Sequence, residues 1–474
     1  MKKIFYIVAA LLFNTIITTA QNIPYGISND TVQVAFAKVF YNTPPFINDS
    51  MKEMDTIVYT PFHVYYYKPI NYDSLTSPIL WGIHGQGGNG GSPISDLKAI
   101  ADRRNALIVS ATMQGSWEYC YTPGDTQISS NLIYFYFDWY PTVFKQIYQH
   151  VLKRENANSI PVYLIGFSAG GQCVSRYMLI RQGVPDSIPI KMAVSTNAYD
   201  YTFATTDTIA SVVGKCPDTT YNNVAMYYPC GLAGNAWGAV TTSEFNCNED
   251  IIQYYNENYD VLIGTADTVC GSLWPCDAAH GQNRYERAKN FYHFSDSDAV
   301  ARGTTLKWKY GEVPGVGHDE NLMYNTILAG DSMPLAERLL FETPYHSVPS
   351  LAPYADFATN TTVVTLPNTI VQFNNNSINA ISYFWDFGDS TTSNLTNPSH
   401  KYLHADTFTV TLTAISGTNC ENKLIKHHYI VVNSAVMIKE YDLSSYVNIY
   451  PNPASDNITI ETTSVNKNEV ISIY

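Results

Sequence analysis

Ser168 stands between two glycines, in Gly166-Phe167-Ser168-Ala169-Gly170, and its hydroxyl is a poor nucleophile until a base takes its proton. An imidazole held by a carboxylate is the usual way to supply that base, and the chain offers both further on. Asp267 closes the run Val261-Leu-Ile-Gly-Thr-Ala-Asp267, an apolar stretch that breaks at a glycine loop. His318 closes Glu312-Val-Pro-Gly-Val-Gly-His318, where the glycines let a loop carry the imidazole toward the serine. Asp267 is expected to hold the Nδ1 proton, and His318 to shuttle a proton between Ser168 and a leaving group. Asp200, Asp260 and Asp277 compete for the acid: Asp260 precedes its strand, at the wrong end, and Asp277 follows Cys276. His280 and His293 compete for the base but lack the glycine loop. A tetrahedral oxyanion needs two preorganised N–H donors. Ala169, just after the serine, is one candidate, and the backbone of Gln86 in His84-Gly85-Gln86-Gly87-Gly88 is the other. His84 reads as a structural hydrogen-bonding group, and no Gly-Lys-Ser/Thr follows this loop to make it a phosphate cradle.

These residues need a scaffold that brings distant loops to one edge. Residues 160–165 are an apolar run that reads as a buried strand, and 171–180 read as a helix, so the serine sits on a sharp strand-to-helix turn. Strand patterns recur at 62–69, 78–83, 106–111, 191–194, 259–263 and 306–310, with helical spacing at 95–104 and 134–154. This alternation predicts an α/β domain, a mostly parallel doubly wound sheet, with ligands at the carboxyl ends of the strands. Strand, Gly-x-Ser-x-Gly, helix, and the chain order Ser, Asp, His together resemble the α/β-hydrolase fold. Residues 200–258 are long and irregular in pattern, a lid or pocket wall over the active face or else a disulfide-pinned surface excursion. Trp117 (with Tyr119) and Trp274 lie on or near active-face loops and could stack on an aromatic or sugar group, although ordinary packing explains any one of them as well.

Whole-chain properties narrow the setting. At 474 residues, two or three domains are expected. The balance of 27 Lys and Arg against 41 Asp and Glu leaves a net charge of −14, which argues against nucleic acid or an anionic membrane as partner. Lys2 and Lys3, an apolar core from Ile4 to about Ile17, and Thr18-Thr19-Ala20 form an export signal over residues 1–20, with maturation expected near Gln21 and no membrane span left afterwards. Export allows the eight cysteines to pair. Seven lie in the first large region, an odd number that predicts a free thiol, with Cys173 on the elbow helix as the candidate and Cys270–Cys276 as the favoured local bridge. The spacings do not suggest zinc, and no metal or organic cofactor is implied.

The catalytic domain is expected over residues 21–345, followed by a proline-rich linker at 346–351. Residues 352–434 read as short alternating strands of a small β-sandwich. Tyr383-Phe-Trp-Asp-Phe-Gly-Asp-Ser390, with Asn397-Pro-Ser-His-Lys-Tyr402 and the strand from Phe408, resembles the PKD domain, whose aspartates are expected to shape a turn. A second linker spans 435–446, and Tyr450-Pro-Asn-Pro-Ala454 within 447–474 resembles the C-terminal sorting domain of type IX secretion in Bacteroidetes, which implies that machinery as a partner. The chain stops inside a strand-like run, so this sorting domain is expected to be truncated. Over residues 60–340, His-Gly-Gln-Gly-Gly, Gly-Phe-Ser-Ala-Gly-Gly, Gly-Thr-Ala-Asp and Gly-Val-Gly-His resemble secreted polyhydroxybutyrate depolymerases and feruloyl or acetylxylan esterases. That resemblance implies a secreted serine esterase, and export plus an accessory domain suggests a polymeric or plant-wall ester or a polyester as its substrate. A peptidase of the same fold, or a non-catalytic adhesion protein built on the PKD-like domain, are the other readings.

Overall fold

A computed structural model of the chain describes residues 22–39, 53–113, 136–181, 188–205, 208–215, 218–225, 248–269, 280–344, 353–434, 447–450 and 459–462. The expected signal segment, both linkers, Trp117, Tyr119, Trp274, Asp277 and every cysteine except Cys173 and Cys420 lie outside the described residues. There are two compact units, one built on the chain up to Asp356 with Asn376–Phe384 and Leu412–Leu424, the other on Phe357–Asn375, Trp385–Thr411 and the chain from Ile425.

The first unit is an α/β-hydrolase fold. Its elements run β1 (Gly26–Val39), β2 (Glu53–Lys68), β3 (Ile79–Ile83), α1 (Ser92–Arg104), β4 (Leu107–Ala111), α2 (Tyr136–Glu155), β5 (Val162–Phe167), α3 (Ala169–Ile180) and β6 (Ile190–Thr196). A hairpin of β7 (Thr208–Lys215) and β8 (Asp218–Ala225) follows, then α4 (Asn248–Tyr255), β9 (Tyr259–Gly264), α5 (Arg284–Ala301), β10 (Tyr310–Val313), α6 (Glu320–Asn325) and α7 (Leu335–Glu342). The eight-stranded sheet has the order β1-β2-β4-β3-β5-β6-β9-β10. β1 and β2 pair antiparallel, as do β2 and β4. From β4 to β10 every neighbouring pair is parallel.

Strand periodicity explains the layers, because successive side chains point to opposite faces. Val261 and Ile263 of β9 join one core cluster with Val174, Tyr177, Tyr254 and Phe291, from α3, α4 and α5. Leu262 between them joins the other, with Leu97, Met323 and Leu339 from α1, α6 and α7. Both faces are therefore covered, as a parallel sheet requires. Asn105 ends α1 in the left-handed region at φ 51°, a conformation that asparagine tolerates.

Three expectations change. The last strand is not at 306–310 but at Tyr310–Val313, pairing with Val261–Gly264. The alternation of Leu306 and Trp308 is real, yet Trp308 stacks edge-on against Tyr254, Tyr255 and Tyr259 and donates its indole N–H to the Tyr254 carbonyl, so it fills the core before the strand begins. The segment 200–258 is less irregular than its composition suggests: β7, with Ile209, Val212 and Val213, pairs antiparallel with β8 from Thr208↔Ala225 to Lys215↔Asp218, and α4 follows. Cys173 is not a thiol; it and Cys420 are both in disulfides, and no cysteine among the described residues is free. Burial on α3 suited a small hydrophobe, but a disulfide is as apolar as a thiol and burial does not distinguish them.

In the chain after Asp356, β11 (Phe357–Thr359), β13 (Ile370–Asn375) and β16 (Ser399–Lys401) form one sheet. β12 (Val363–Thr365), β14 (Ser382–Asp386), β15 (Thr392–Ser393), β17 (Thr407–Ile415) and β18 (Glu421–Asn433) form the other, and β19 (Val447–Tyr450) pairs with β20 (Thr459–Thr462). Trp385 is fully buried between Phe357 and Phe373 and donates its indole N–H to the Leu395 carbonyl. Asp386 accepts from the Gly388 amide and Asp389 from that of Thr391, so both aspartates shape the turn. No described helix is long and apolar enough to cross a membrane.

Near the end of β2, Lys68 and Glu155 form a buried ion pair at 2.8 Å, and Glu155 also accepts the Ile23 amide. Removing one partner strands the other charge in an apolar setting. Lys68→Met is expected to cost about 3–5 kcal/mol of unfolding free energy, and Lys68→Met/Glu155→Met to recover most of it. Chemical denaturation of the two variants measures the difference.

Candidate active site

The elbow begins with a steric fact. A Cβ at Gly166 would lie 2.2 Å from the Gly170 carbonyl oxygen, and one at Gly170 would lie 2.1 Å from that of Ile83. These partners are backbone and cannot swing aside, so only glycine lets α3 start this close to the ends of β5 and β3. Ser168 takes the turn at φ 54° and ψ −114°, a strained conformation for a residue with a side chain. Its amide donates to the Thr196 carbonyl at 2.9 Å, tying the turn to the end of β6.

Ser168, Asp267 and His318 meet at this turn. His318 Nε2 lies 3.0 Å from Ser168 Oγ, and its Nδ1 lies 2.7 Å from Asp267 Oδ2. With a proton on Nδ1 donated to the carboxylate, Nε2 is left to accept from the hydroxyl. The Asp267 side chain is fully buried, whereas His318 keeps 30% of its side-chain surface exposed. The imidazole is thus anchored on its inner edge and accessible on its outer one. Phe167 packs against its ring with centroids 4.7 Å apart.

The base loop is fastened directly to the acid loop. Ala266 donates its amide to the Val316 carbonyl, and Gly315, at φ 73°, donates to Thr265 Oγ1. Asp319, next to His318, caps α6 by accepting the Leu322 amide.

The loop after β3 lies against Ser168: a Cβ on Gly85 would be 3.3 Å from that of Ser168. A turn closes from the Gly88 amide to the Gly85 carbonyl, leaving Gln86 exposed at its tip. His84 is buried, accepts the Met113 amide on Nε2 and donates Nδ1–H to the Gly85 carbonyl, so its two bonds define the neutral tautomer and shape this loop. Ala169 is the first residue of α3, where amides have no intrahelical partner.

The rival residues are used elsewhere. Asp200 and His280 pair with each other at 2.6 Å, both almost wholly buried. Asp260 accepts the Lys309 amide, and burial pushes its carboxyl up to about 7. His293 is exposed on α5. Two neighbours of Asp267 escaped the motif reading: Asn197, which donates to Asp267 Oδ2 at 2.8 Å, and Arg284, whose Nη1 lies 3.5 Å from Asp267 Oδ1. Neither stands in a patterned run; the one available signal is that Asn197 directly follows the apolar strand β6.

Residues 350–432 match the sequence profile of the PKD domain. No curated protein matches the chain. Among solved structures, the chain is similar to LpqC, a poly(3-hydroxybutyrate) depolymerase from Bordetella parapertussis, at 23% identity over 60% of this chain and 86% of that one, with a TM-score of 0.45. It is also similar to poly(aspartic acid) hydrolase-1 from Sphingomonas sp. KT-1, at 21% identity over 55% and 90% of the two chains, with a TM-score of 0.42. A shorter stretch is similar to the PKD1 domain of the Vibrio cholerae metalloprotease PrtV, at 29% identity over 17% of this chain and 98% of that one, with a TM-score of 0.15.

Two outcomes follow. Gly170→Ala should lose about 3 kcal/mol of stability, the upper end of overpacking costs, measured by denaturant unfolding. Glu320, on the first turn of α6, has its carboxyl pushed up from the usual 4.5 to about 8 by burial, with the Asp96 charge adding to it. Between those values the folded chain holds a proton that the unfolded chain has released. Stability should therefore fall as pH rises from about 4.5 to 8, by up to about 1.4 kcal/mol per pH unit for one proton. Glu320→Gln should flatten that slope in thermal unfolding measured across the same range.

Proposed function

We propose that the chain is a serine hydrolase that cleaves carboxylic esters through an acyl-Ser168 intermediate. The observation that carries this reading is the continuous line from Asp267 through His318 to Ser168, at 2.7 and 3.0 Å.

Ser168 Oγ attacks the ester carbonyl carbon as His318 Nε2 takes its proton, and the carbonyl π electrons move onto oxygen. Asp267 stays ionised, holds the Nδ1 proton and supports the imidazolium. The backbone amides of Ala169 and Gln86 receive the oxyanion. The intermediate collapses with cleavage of the carbon–alkoxy bond, and His318 returns its proton to the departing alkoxide. Water then enters at the exposed edge of His318, gives up a proton to Nε2 and attacks the acyl carbon. Collapse of this second intermediate frees the acid and returns the proton to Ser168.

The segment 1–20 favours export, and export together with the PKD domain favours a polymeric ester, from a plant wall or a polyester, as substrate. The terminal Tyr450-Pro-Asn-Pro-Ala454 segment fits sorting through type IX secretion.

A fluorophosphonate probe should label the protein stoichiometrically at Ser168, located by peptide mass spectrometry. Ser168→Ala should abolish labelling and lower kcat on p-nitrophenyl esters by at least about 10⁴-fold. Faster turnover of peptide anilides than of esters would move the assignment to a peptidase, and an unlabelled folded protein would remove the enzyme altogether.

A further inference from the structure

We infer that Asn197 is a positioning residue for the acid–base pair: it fixes the rotation of the Asp267 carboxylate and shares the oxygen on which His318 depends. This inference rests on the triad reading above.

Three partners converge on this one side chain, and a fourth meets its backbone. Nδ2 donates to Asp267 Oδ2 at 2.8 Å, the oxygen that also receives His318 Nδ1 at 2.7 Å. The same Nδ2 donates to the Gly317 carbonyl at 3.0 Å, one residue before His318. Oδ1 accepts the Gly264 amide at 3.1 Å, at the end of the acid's own strand. The Asn197 amide donates to the Leu262 carbonyl at 3.1 Å. One amide group thus spans the end of β6, the end of β9, the acid and the base loop. The side chain is fully buried, so its bonds to Asp267 and Gly264 are made away from water, and that to Gly317 is half-buried.

The chemistry demands such a group. A buried carboxylate left with a single partner can rotate about its Cβ–Cγ bond and present either oxygen to the imidazole. A second donor on Oδ2 removes that freedom. A neutral donor does so without adding charge, whereas a second carboxylate there would stabilise the imidazolium and keep the base protonated. Asparagine also suits the backbone, which turns at φ 44°, a region where it is among the better-tolerated residues. Within ion-pair distance of Asp267 among the described residues are His318, from the loop before α6, and Arg284, at the start of α5 and 3.5 Å from the other oxygen, Oδ1. Both remain in every variant below, so a shift in titration reports on position 197.

The test is the rate of inactivation by a fluorophosphonate as a function of pH, for the wild type, Asn197→Asp and Asn197→Gly. The aspartate is isosteric, and the glycine accepts the positive φ without strain, so if one fails to fold the other carries the comparison. Near-UV circular dichroism establishes which variants are folded. Asn197→Asp should move the acid limb of the profile up by about one pH unit, because the two carboxylates and the imidazole titrate together. Asn197→Gly should lower the plateau by about tenfold or more and move the limb up by less. Unchanged profiles in folded variants would overturn the inference, as would a lowered plateau with an unmoved limb, the mark of a merely structural role. A wild type that the probe does not label would instead overturn the triad reading.

Discussion

Contact between bare backbones at the elbow is the constraint on which the rest of the first unit depends. α3 begins so close to the ends of β3 and β5 that Gly166 and Gly170 each face a carbonyl oxygen barely two ångströms from where a Cβ would stand. That proximity forces the chain to turn at Ser168 with a positive φ, and the turn lifts the serine out of the sheet. The strain is held by the surrounding structure: β5 lies between β3 and β6 in the parallel sheet, and the Ser168 amide is bonded to the Thr196 carbonyl. A hydroxyl on a free loop would be easier to build but would carry no fixed direction.

Burial of Asp267 is the second organising demand. A carboxylate removed from water must be compensated, and here the compensation is spread over three groups of different kind: an imidazole N–H, an amide N–H and a guanidinium. Two of them touch the same oxygen, so the geometry that solvates the charge also orients it. The Arg284 guanidinium and that of Arg287 both lie over the Tyr199 ring, and Arg287 donates to the Tyr199 carbonyl. The acid is therefore backed by the loop after β6 and the start of α5, and the buried Asp200–His280 pair joins these same two regions.

How far the site could be read in the sequence follows from how local its causes are. Ser168 and Asp267 each follow an apolar strand within three residues, and each of Ser168, Asp267 and His318 has a glycine within three residues, so a short window contains the reason. The sheet was legible in the same way, since runs such as Ile79–Ile83 and Val162–Phe167 are nearly all apolar because both faces are covered. Asn197 had no such window: its partners are 67, 70 and 120 residues away in the chain, and its place just after β6 does not by itself point to them. Asp200 and His280, 80 residues apart, could be judged only as single candidates for the triad, because their use for one another is a fact of the fold. Trp308 misled for the converse reason: its alternation with Leu306 is a strand pattern produced by packing against an aromatic cluster.

The pairing of β6 with β9 has a consequence for how such a protein can diversify. Ala193↔Tyr259 through Thr196↔Leu262 lie in uninterrupted parallel register, although the chain between them detours through the β7–β8 hairpin and α4. The sheet thus behaves as a chassis with an open socket after β6. Whatever is plugged in there leaves from the end of β6, where the Thr196 carbonyl holds the Ser168 amide, and returns without disturbing the register. Grafting a different excursion between Thr205 and Asn248 would change the chain that follows β6 while the ladder between β6 and β9 stays as it is.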